Sequence, residues 1–349
     1  MAKSLKGTDK TEACIAEEPA VDIVIRGNAA SKAKMTNVIN EMCKSNAGYA
    51  ILEAAADMCY ELKFDKQAAK EGLYGYADPC EECCVLSPKN TLAQNIVTLA
   101  HELRHAYQFT YEKLDDLGYT ESDTRTMLLK NRTMEADAES YGCLVAWELK
   151  EQGNDLCWQD FSKDFPEIAQ PFEKTLAETG DVNQARTAAF KGWYDNAERR
   201  DSYDRSVVAS IEDVAPEVFK KKLKSVGAAK FVNAYCSDPD TGDNYFTEDP
   251  KMLETGKYTA LYEDMKDRIT AHHQKRDALP GRVPDKTIAG LETQKRSAPE
   301  TENNAKAVSA QAKEIALAAR QKRAAAQIRQ QKKPTLTAAA LLQKKNNGR

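Results

Sequence analysis

The sequence of 349 residues contains no long apolar segment. No run of eighteen apolar residues occurs in it, so a membrane-spanning helix is not expected. Its first residues, "MAKSLKGTDKTEACIAEEPAVD", contain no apolar stretch like the core of a signal peptide. We therefore expect a soluble, cytoplasmic protein that is not exported by the general secretory route, with a specialised secretion route left open.

Several catalytic motifs are missing as well. The sequence has no Gly-rich phosphate loop, no G-x-S-x-G motif and no cysteine nucleophile with a nearby histidine pattern. Its nine cysteines are an odd number scattered along a long chain. This distribution is typical of a reducing compartment and not of a small disulfide-bonded scaffold.

Three of the cysteines lie close together in the segment "CEECC". Cys80 and Cys83 have Cys-x-x-Cys spacing and Cys84 follows directly, but a second Cys-x-x-Cys pair is absent from the sequence. We interpret them as ordinary reduced cysteines in a turn and a strand. Half of a zinc ribbon and a reversible disulfide between Cys80 and Cys83 are the two alternatives.

Charge and composition divide the chain into a body and a tail. Residues 282–349 contain fifteen Lys and Arg against five Asp and Glu, so the tail is near +10 and the body near −14, although the net charge of the whole chain is −4. We predict four regions: a flexible N-terminus at 1–20, a core domain at 21–200, an additional helical region packed on the core at 201–283, and a basic tail rich in Ala, Gln and Lys at 284–349.

The basic tail has few large apolar residues, so it is either disordered or a single solvated helix that needs a partner. Its charge suits an acidic partner, nucleic acid, an anionic membrane surface or the acidic body itself. The tail has no aromatic residue for base stacking, which weakens the case for single-stranded nucleic acid. An unstructured tether is our preferred interpretation, and nothing in the sequence specifies an oligomeric state.

The pattern of the core predicts an α+β fold that is mostly helical. A helical run at 31–58, broken around 45–48, precedes three short strand-like stretches at 59–64, 72–77 and 83–87. These stretches contain the aromatic and β-branched residues that suit a pleated surface. We therefore expect a small sheet in front of the next helix, and further helices packed on this core up to about residue 270.

Two long helices follow the strands. The first begins at Asn90 or Thr91, and apolar residues at 4-3-4 spacing predict its core stripe. That stripe consists of Leu92, Ile96, Leu99 and Leu103. The second helix spans about 123–152, and the small residues Gly142 and Ala146 on one face would let a neighbouring helix approach closely.

The segment "TLAHELRHAYQF" in the first helix contains two of the four histidines of the chain. His101 and His105 lie one turn apart on the same helix face, so both imidazoles can be directed at one point. Glu102 is rotated by about 100° from His101, which lets its carboxylate reach a bound water as a general base must. Zinc suits such a site because three protein ligands leave a position for water, whose pKa falls to about 7.

A third ligand is then required, and "RTMEADAESYG" in the second helix contains the candidates. Glu135 and Glu139 lie four residues apart on one face, whereas Asp137 points elsewhere. We predict Glu135 as the third ligand and Glu139 as the acceptor of a hydrogen bond from a ligand histidine, with Asp137 as the substitute for that role. His272 and His273 are adjacent and therefore diverge on a helix, so no ligand role is assigned to them.

The two motifs together carry a resemblance. "HELRHAYQ", followed about thirty residues later by "MEADAESYG", resembles the zinc metallopeptidases called gluzincins, in which H-E-x-x-H on one helix is joined by a glutamate ligand from a second. The preceding "GYADPCEECCVLSPKNTLAQNIVTLAHELRHA" is similar, more narrowly, to an uncharacterised bacterial domain classed as a metallopeptidase. The resemblance covers roughly residues 45–200.

The resemblance implies a zincin-like domain at 21–200, with Zn²⁺ held by His101, His105 and Glu135, and Glu102 as the base. It also implies that the strand before the active-site helix, at 82–88, is a sheet edge that holds an extended peptide. The chain departs from the Asn-Glu-x-x-x-Asp form of the thermolysin-like second helix, because it has Met before the ligand glutamate and Glu four residues after it. The candidates for the oxyanion-stabilising group are Tyr194, Tyr203 and Arg132.

The leading hypothesis is a zinc-dependent metallopeptidase that acts on a peptide or protein substrate. Glu102 would take a proton from the metal-activated water that attacks the scissile carbonyl, and would pass that proton to the leaving amine. One alternative is a catalytically silent, zincin-shaped binding or regulatory protein, against which the intact general base argues. The other is a zinc amidohydrolase that acts on a non-protein substrate.

Overall fold

The computed structural model of the protein describes residues 18–111, 114 and 117–295. Most of the predicted flexible N-terminus and of the predicted basic tail lie outside the described residues. Within the described residues the chain is mostly helical with a small sheet, which confirms the α+β prediction. None of the described helices combines the length and the apolar character that crossing a membrane requires.

The secondary structure elements are as follows. The strands are β1 (Val24–Arg26), β2 (Glu61–Phe64), β3 (Gly75–Asp78), β4 (Cys83–Leu86), β5 (Leu261–Tyr262) and β6 (Thr293–Gln294). The helices are α1 (Ala29–Met42), α2 (Asn46–Asp57), α3 (Lys66–Glu71), α4 (Leu92–Tyr111), α5 (Thr124–Glu151), α6 (Asp155–Asp164), α7 (Pro166–Thr179), α8 (Val182–Trp193), α9 (Ala197–Glu212), α10 (Ala228–Tyr235) and α11 (Glu263–Asp277). Short 3-10 helices occupy Pro216–Val218, Pro250–Glu254, Gly256–Tyr258 and Ile288–Gly290.

The main sheet has the strand order β1-β2-β4-β3. Strands β1, β2 and β4 run parallel, and β3 runs antiparallel to β4 at one edge. The three predicted strands are therefore present, and β1 adds a fourth. The interval between β2 and β3 contains the short helix α3, for which no helix was predicted.

The strand before α4 was expected to be a sheet edge, and this expectation is wrong. β4 lies between β2 and β3, and the edge strand next to it is β3. All four residues of β4 are buried. A short continuous apolar run such as "CCVL" is typical of a strand that is covered on both faces, and this signal favours a central position over an edge.

Helix α4 begins at the predicted position. Thr91 Oγ1 accepts a hydrogen bond from the N–H of Gln94, and Gln94 Oε1 accepts one from the N–H of Thr91, which forms a reciprocal capping box. Three residues of the predicted core stripe, Ile96, Leu99 and Leu103, are fully buried. Leu92 is 36% exposed, because it is the first residue of the helix and extends past the core.

Helix α5 is the central helix of the described structure. Of its 28 residues, 22 are buried, and it contacts α2, α4, α6, α7, α8, α9 and α10. Helix α4 lies close to Gly142, where an added Cβ would be 3.5 Å from Val97 of α4, an ordinary van der Waals distance that an alanine could also meet. Helix α5 therefore holds its buried polar side chains rigidly against α4.

The chain beyond α5 packs on this pair of helices. The aromatic residues Trp193, Tyr194, Phe231 and Tyr245 belong to the main hydrophobic core. A second hydrophobic cluster joins the N-terminal part of α5 to α9 and α11, and it includes Phe219. These contacts make the region after residue 200 part of the same packed structure as α4 and α5.

Candidate metal centre

The glycine of the edge strand brings α4 close to the sheet. A Cβ at Gly75 of β3 would lie 2.7 Å from Thr98 Cγ2 of α4 and 2.7 Å from the carbonyl oxygen of Val85. Only glycine fits at this approach, because real Cβ atoms do not come so near to other heavy atoms. The next turn of α4 carries His101 and Glu102, so the close contact sets these side chains beside the edge strand.

Three side chains from α4 and α5 converge at one point. His101 Nε2 and His105 Nε2 lie 2.9 Å apart. Glu135 Oε2 of α5 lies 3.7 Å from His101 Nε2 and 3.4 Å from His105 Nε2. The described residues bring together no other group of three or more potential ligands. Of the residues predicted to bind metal, all three are therefore in this cluster.

The shape of the cluster fits a tetrahedral metal ion. Ligand atoms about 2.0–2.1 Å from such an ion are about 3.3 Å from one another, and the three observed separations lie on either side of that value. Both carboxylate oxygens of Glu135 are buried without a hydrogen-bond partner. A buried carboxylate without partners is costly, and a cation between the three side chains would remove that cost.

Burial and the charges of the cluster shift the pKa values of both histidines in opposite directions. Burial, with the positive charges of His105 and Arg199, lowers the pKa of His101 well below its usual value. Burial also lowers the pKa of His105, but the negative charge of Glu135, 3.4 Å away, and that of Glu102 outweigh burial and raise this pKa to about 9. In the metal-free protein at neutral pH, His105 is therefore the protonated histidine of the pair and His101 is the neutral one.

Glu102 lies beside the cluster and contacts the edge strand. The main-chain N–H of Ala77 in β3 donates a hydrogen bond to its carboxylate, and only 3% of Glu102 is exposed. Burial raises the pKa of Glu102 to about 7, and the carboxylates of Glu135 and Glu139 act in the same direction, against His105 and the Ala77 N–H. A carboxylate with a pKa near neutrality is well suited to accept and return a proton.

The polar residues around the ligands differ partly from the predicted ones. Glu139 Oε1 lies 3.6 Å from His101 Nδ1, one helical turn beyond Glu135. Asp137 points to Arg104 and Gln108 and contacts neither histidine directly. The sequence analysis assigned no role to Gln108, whose Oε1 lies 2.8 Å from His105 Nδ1. Its spacing of three residues from His105 on one helix face was the available signal.

The three oxyanion candidates are embedded in other contacts. Arg132 donates two hydrogen bonds to Asp204 and two more to the carbonyl oxygens of Tyr258 and Ala260, so four of its five N–H groups are in use. The rings of Tyr194 and Tyr203 are buried against Trp193. All three side chains are therefore buried in the interior of the fold.

Neither His272 and His273 nor any cysteine that the structure describes belongs to the three-residue cluster. His272 and His273 pack against Phe219 in the second hydrophobic cluster, and His272 Nε2 lies 3.0 Å from the carbonyl oxygen of Val214. Cys83 and Cys84 are buried residues of β4, and no disulfide joins the cysteines that the structure describes.

Comparison with known proteins places the chain in a family. The model of a family described as "Putative metallopeptidase family (DUF6782)" matches residues 15–246. This segment is longer than the 45–200 for which the sequence analysis saw a resemblance, and it contains all three converging side chains. No curated protein and no solved structure matches the chain. Since the match covers more than half of the 349 residues, the chain belongs to this putative metallopeptidase family.

Proposed function

We propose that this protein is a zinc-dependent metallopeptidase of the gluzincin type. The observation that carries the proposal is the convergence of His101 Nε2, His105 Nε2 and Glu135 Oε2 from two packed helices. Two imidazoles and one carboxylate are the ligand set of zinc peptidases, and they leave a fourth position for water or substrate. Zinc is proposed as the ion because of this donor set.

Glu102 is the proposed general base. A zinc ion bound by the three ligands would polarise a substrate carbonyl and lower the pKa of bound water to about 7. The carboxylate of Glu102 would accept the proton of the attacking water and return it to the leaving amine. The Ala77 N–H holds this carboxylate in place from the edge strand, and the burial of Glu102 keeps it out of bulk water.

Strand β3 is the proposed binding edge for an extended peptide. Ser87 N–H donates to the Tyr74 carbonyl, and the register pairs Ala77 with Cys84. Because bonded and non-bonded pairs alternate along an antiparallel ladder, the main-chain groups of Ala77 point away from β4. A substrate could add to this edge by β-augmentation, which would set its main chain beside Glu102.

We further propose a zincin-like catalytic domain that extends from about residue 21 to 246 and not only to 200. Arg104, one residue before His105, donates hydrogen bonds to the carbonyl oxygens of Tyr235 and Ser237. The matched family segment also reaches residue 246. The residues after 200 therefore support the helix that carries the base and two of the three proposed ligands.

The test of this function is the variant Glu102→Gln. It should lose peptide hydrolysis by about 10²- to 10⁴-fold, because general-base catalysis contributes on that order, and it should keep its zinc. Activity would be measured on a library of quenched fluorescent peptides, with zinc content measured by elemental analysis. Glu151→Gln, an exposed glutamate at the end of α5, is the matched control and should behave as wild type. Wild-type turnover by Glu102→Gln would refute the assigned mechanism.

A further inference from the structure

We infer that Gln108 is a positioning residue for His105, and that Asp137 and Arg104 anchor it in a buried hydrogen-bond relay. The inference rests on the proposed zinc site, but it concerns residues outside the ligand set. Gln108 is 1% exposed, and neither Asp137 nor Arg104 has any exposed surface. Solvent therefore cannot replace the partners of these side chains.

The amide of Gln108 is held in one orientation. Its Nε2 donates to the carbonyl oxygen of Met134 at 2.9 Å and to Asp137 Oδ2 at 2.7 Å. A side-chain amide has two N–H groups, so both donors are used. A flipped amide would face these two acceptors with its oxygen and leave them unpaired in a buried site. Gln108 Oε1 must therefore be the atom that lies 2.8 Å from His105 Nδ1.

This orientation selects one tautomer of His105. The oxygen of an amide only accepts hydrogen bonds, so the hydrogen of the imidazole must be on Nδ1. Once His105 is neutral, the lone pair is therefore on Nε2, which is the atom that lies 3.4 Å from Glu135 Oε2 in the cluster. Gln108 thus keeps His105 in the form that binds a metal and fixes the rotation of its ring.

Asp137 is itself held from three sides. Its carboxylate accepts hydrogen bonds from Arg104 Nε at 2.6 Å, Arg104 Nη2 at 3.1 Å and Tyr245 Oη at 2.9 Å, in addition to Gln108. The buried charge is therefore paired and fully hydrogen-bonded, which is the condition for a buried ion pair to be tolerated. Because Arg104 also binds the carbonyl oxygen of Ser237 at 2.7 Å, the relay links His105 to the segment 235–245, far away in the sequence.

The test compares two variants of Gln108. Gln108→Met keeps the volume and removes the acceptor, so its zinc dissociation constant should rise by about 10- to 100-fold, as for other residues that orient a metal ligand. The visible spectrum of its Co²⁺ form should also change. Gln108→Glu keeps an acceptor for His105 Nδ1–H but sets a carboxylate against Asp137. It should unfold more easily without metal and still bind zinc within a few-fold of wild type.

The matched control is Asn131→Leu. Asn131 is a buried amide on α5 that donates to the carbonyl oxygen of Met127 and contacts no ligand, so its loss should affect unfolding of the metal-free protein and leave zinc affinity unchanged. Zinc affinity is measured by chelator competition, and unfolding by urea in the presence of chelator.

The outcomes separate this inference from the proposed function. Wild-type zinc affinity in a folded Gln108→Met variant overturns the role of Gln108 alone. If Gln108→Met does not fold, Gln108→Glu decides the question. A loss of zinc affinity by more than tenfold in Gln108→Glu would then overturn the role of Gln108 as the acceptor that positions His105. Absence of zinc binding by the wild-type protein overturns both the inference and the proposed function.

Discussion

Zinc binding should become tighter as the pH rises from 7 to 9, because a proton must leave His105 before its Nε2 can coordinate the ion. Glu135 and Glu102 outweigh the effect of burial and raise the pKa of His105 to about 9 in the metal-free protein. His101 adds no proton in this range, since its pKa is well below the usual value. Protons therefore compete with the metal mainly at His105.

The size of the effect follows from this pKa. Well below pH 9 each unit of pH changes the unprotonated fraction of His105 about tenfold, and at pH 9 half of the His105 side chains are unprotonated, so the apparent dissociation constant should fall by about 50-fold between pH 7 and pH 9. This corresponds to about 2.3 kcal/mol, at 1.36 kcal/mol for each tenfold change. Above pH 9 His105 is already neutral, and its contribution to the slope should disappear.

Chelator competition between pH 7 and pH 10 measures this dependence. Glu135→Gln should bind zinc more weakly and with a shallower slope, because the carboxylate that stabilises the charged imidazole is gone. Ionisation of a bound water is common to both proteins, so the difference in slope reports on His105. A wild-type dissociation constant that does not change between pH 7 and pH 9 would refute the reasoning.

Three glycine substitutions test the close contacts between α7 and α8, between α4 and α5, and between α4 and β3. A Cβ at Gly192 would lie 2.0 Å from the carbonyl oxygen of Glu167, so Gly192→Ala should lower the free energy of unfolding by about 1–3 kcal/mol in a urea titration. In Gly142→Ala the new Cβ would meet its nearest atom at 3.5 Å, so the free energy of unfolding should rise by up to about 1 kcal/mol through helix propensity. A destabilised Gly142→Ala beside an unaffected Gly192→Ala would contradict the packing described. Gly75→Ala would push α4 away from β3 through Thr98, so it should reduce peptide hydrolysis more than zinc affinity, and an equal loss of both would argue against this contact.

Local patterns in the sequence were sufficient for the elements that carry the site. The capping residue Thr91 and the apolar spacing of Ile96, Leu99 and Leu103 specify where α4 begins and which side is buried. The same helical period predicts that His101 and His105 share a face. Such features depend on residues within one or two turns of each other, so a single segment of sequence contains the whole signal.

The strand order and the partners of the buried polar side chains could not be predicted from local sequence patterns. The position of β4 inside the sheet depends on its pairing with β2 and β3. The hydrogen bonds of Asp137 depend on Tyr245, 108 residues away. Several arrangements are compatible with the same local pattern, and long-range packing selects one of them.

The sequence by itself determined that His101 and His105 can face a common ion, because their spacing of four residues places both on one side of α4. Glu135 was predicted as the third ligand, but only the tertiary structure decided that β3 is the edge beside Glu102 and that Gln108 faces His105. These relations join segments that are distant along the chain. They arise when burial of apolar surface brings α4, α5 and the sheet together and every buried polar group must then find a partner.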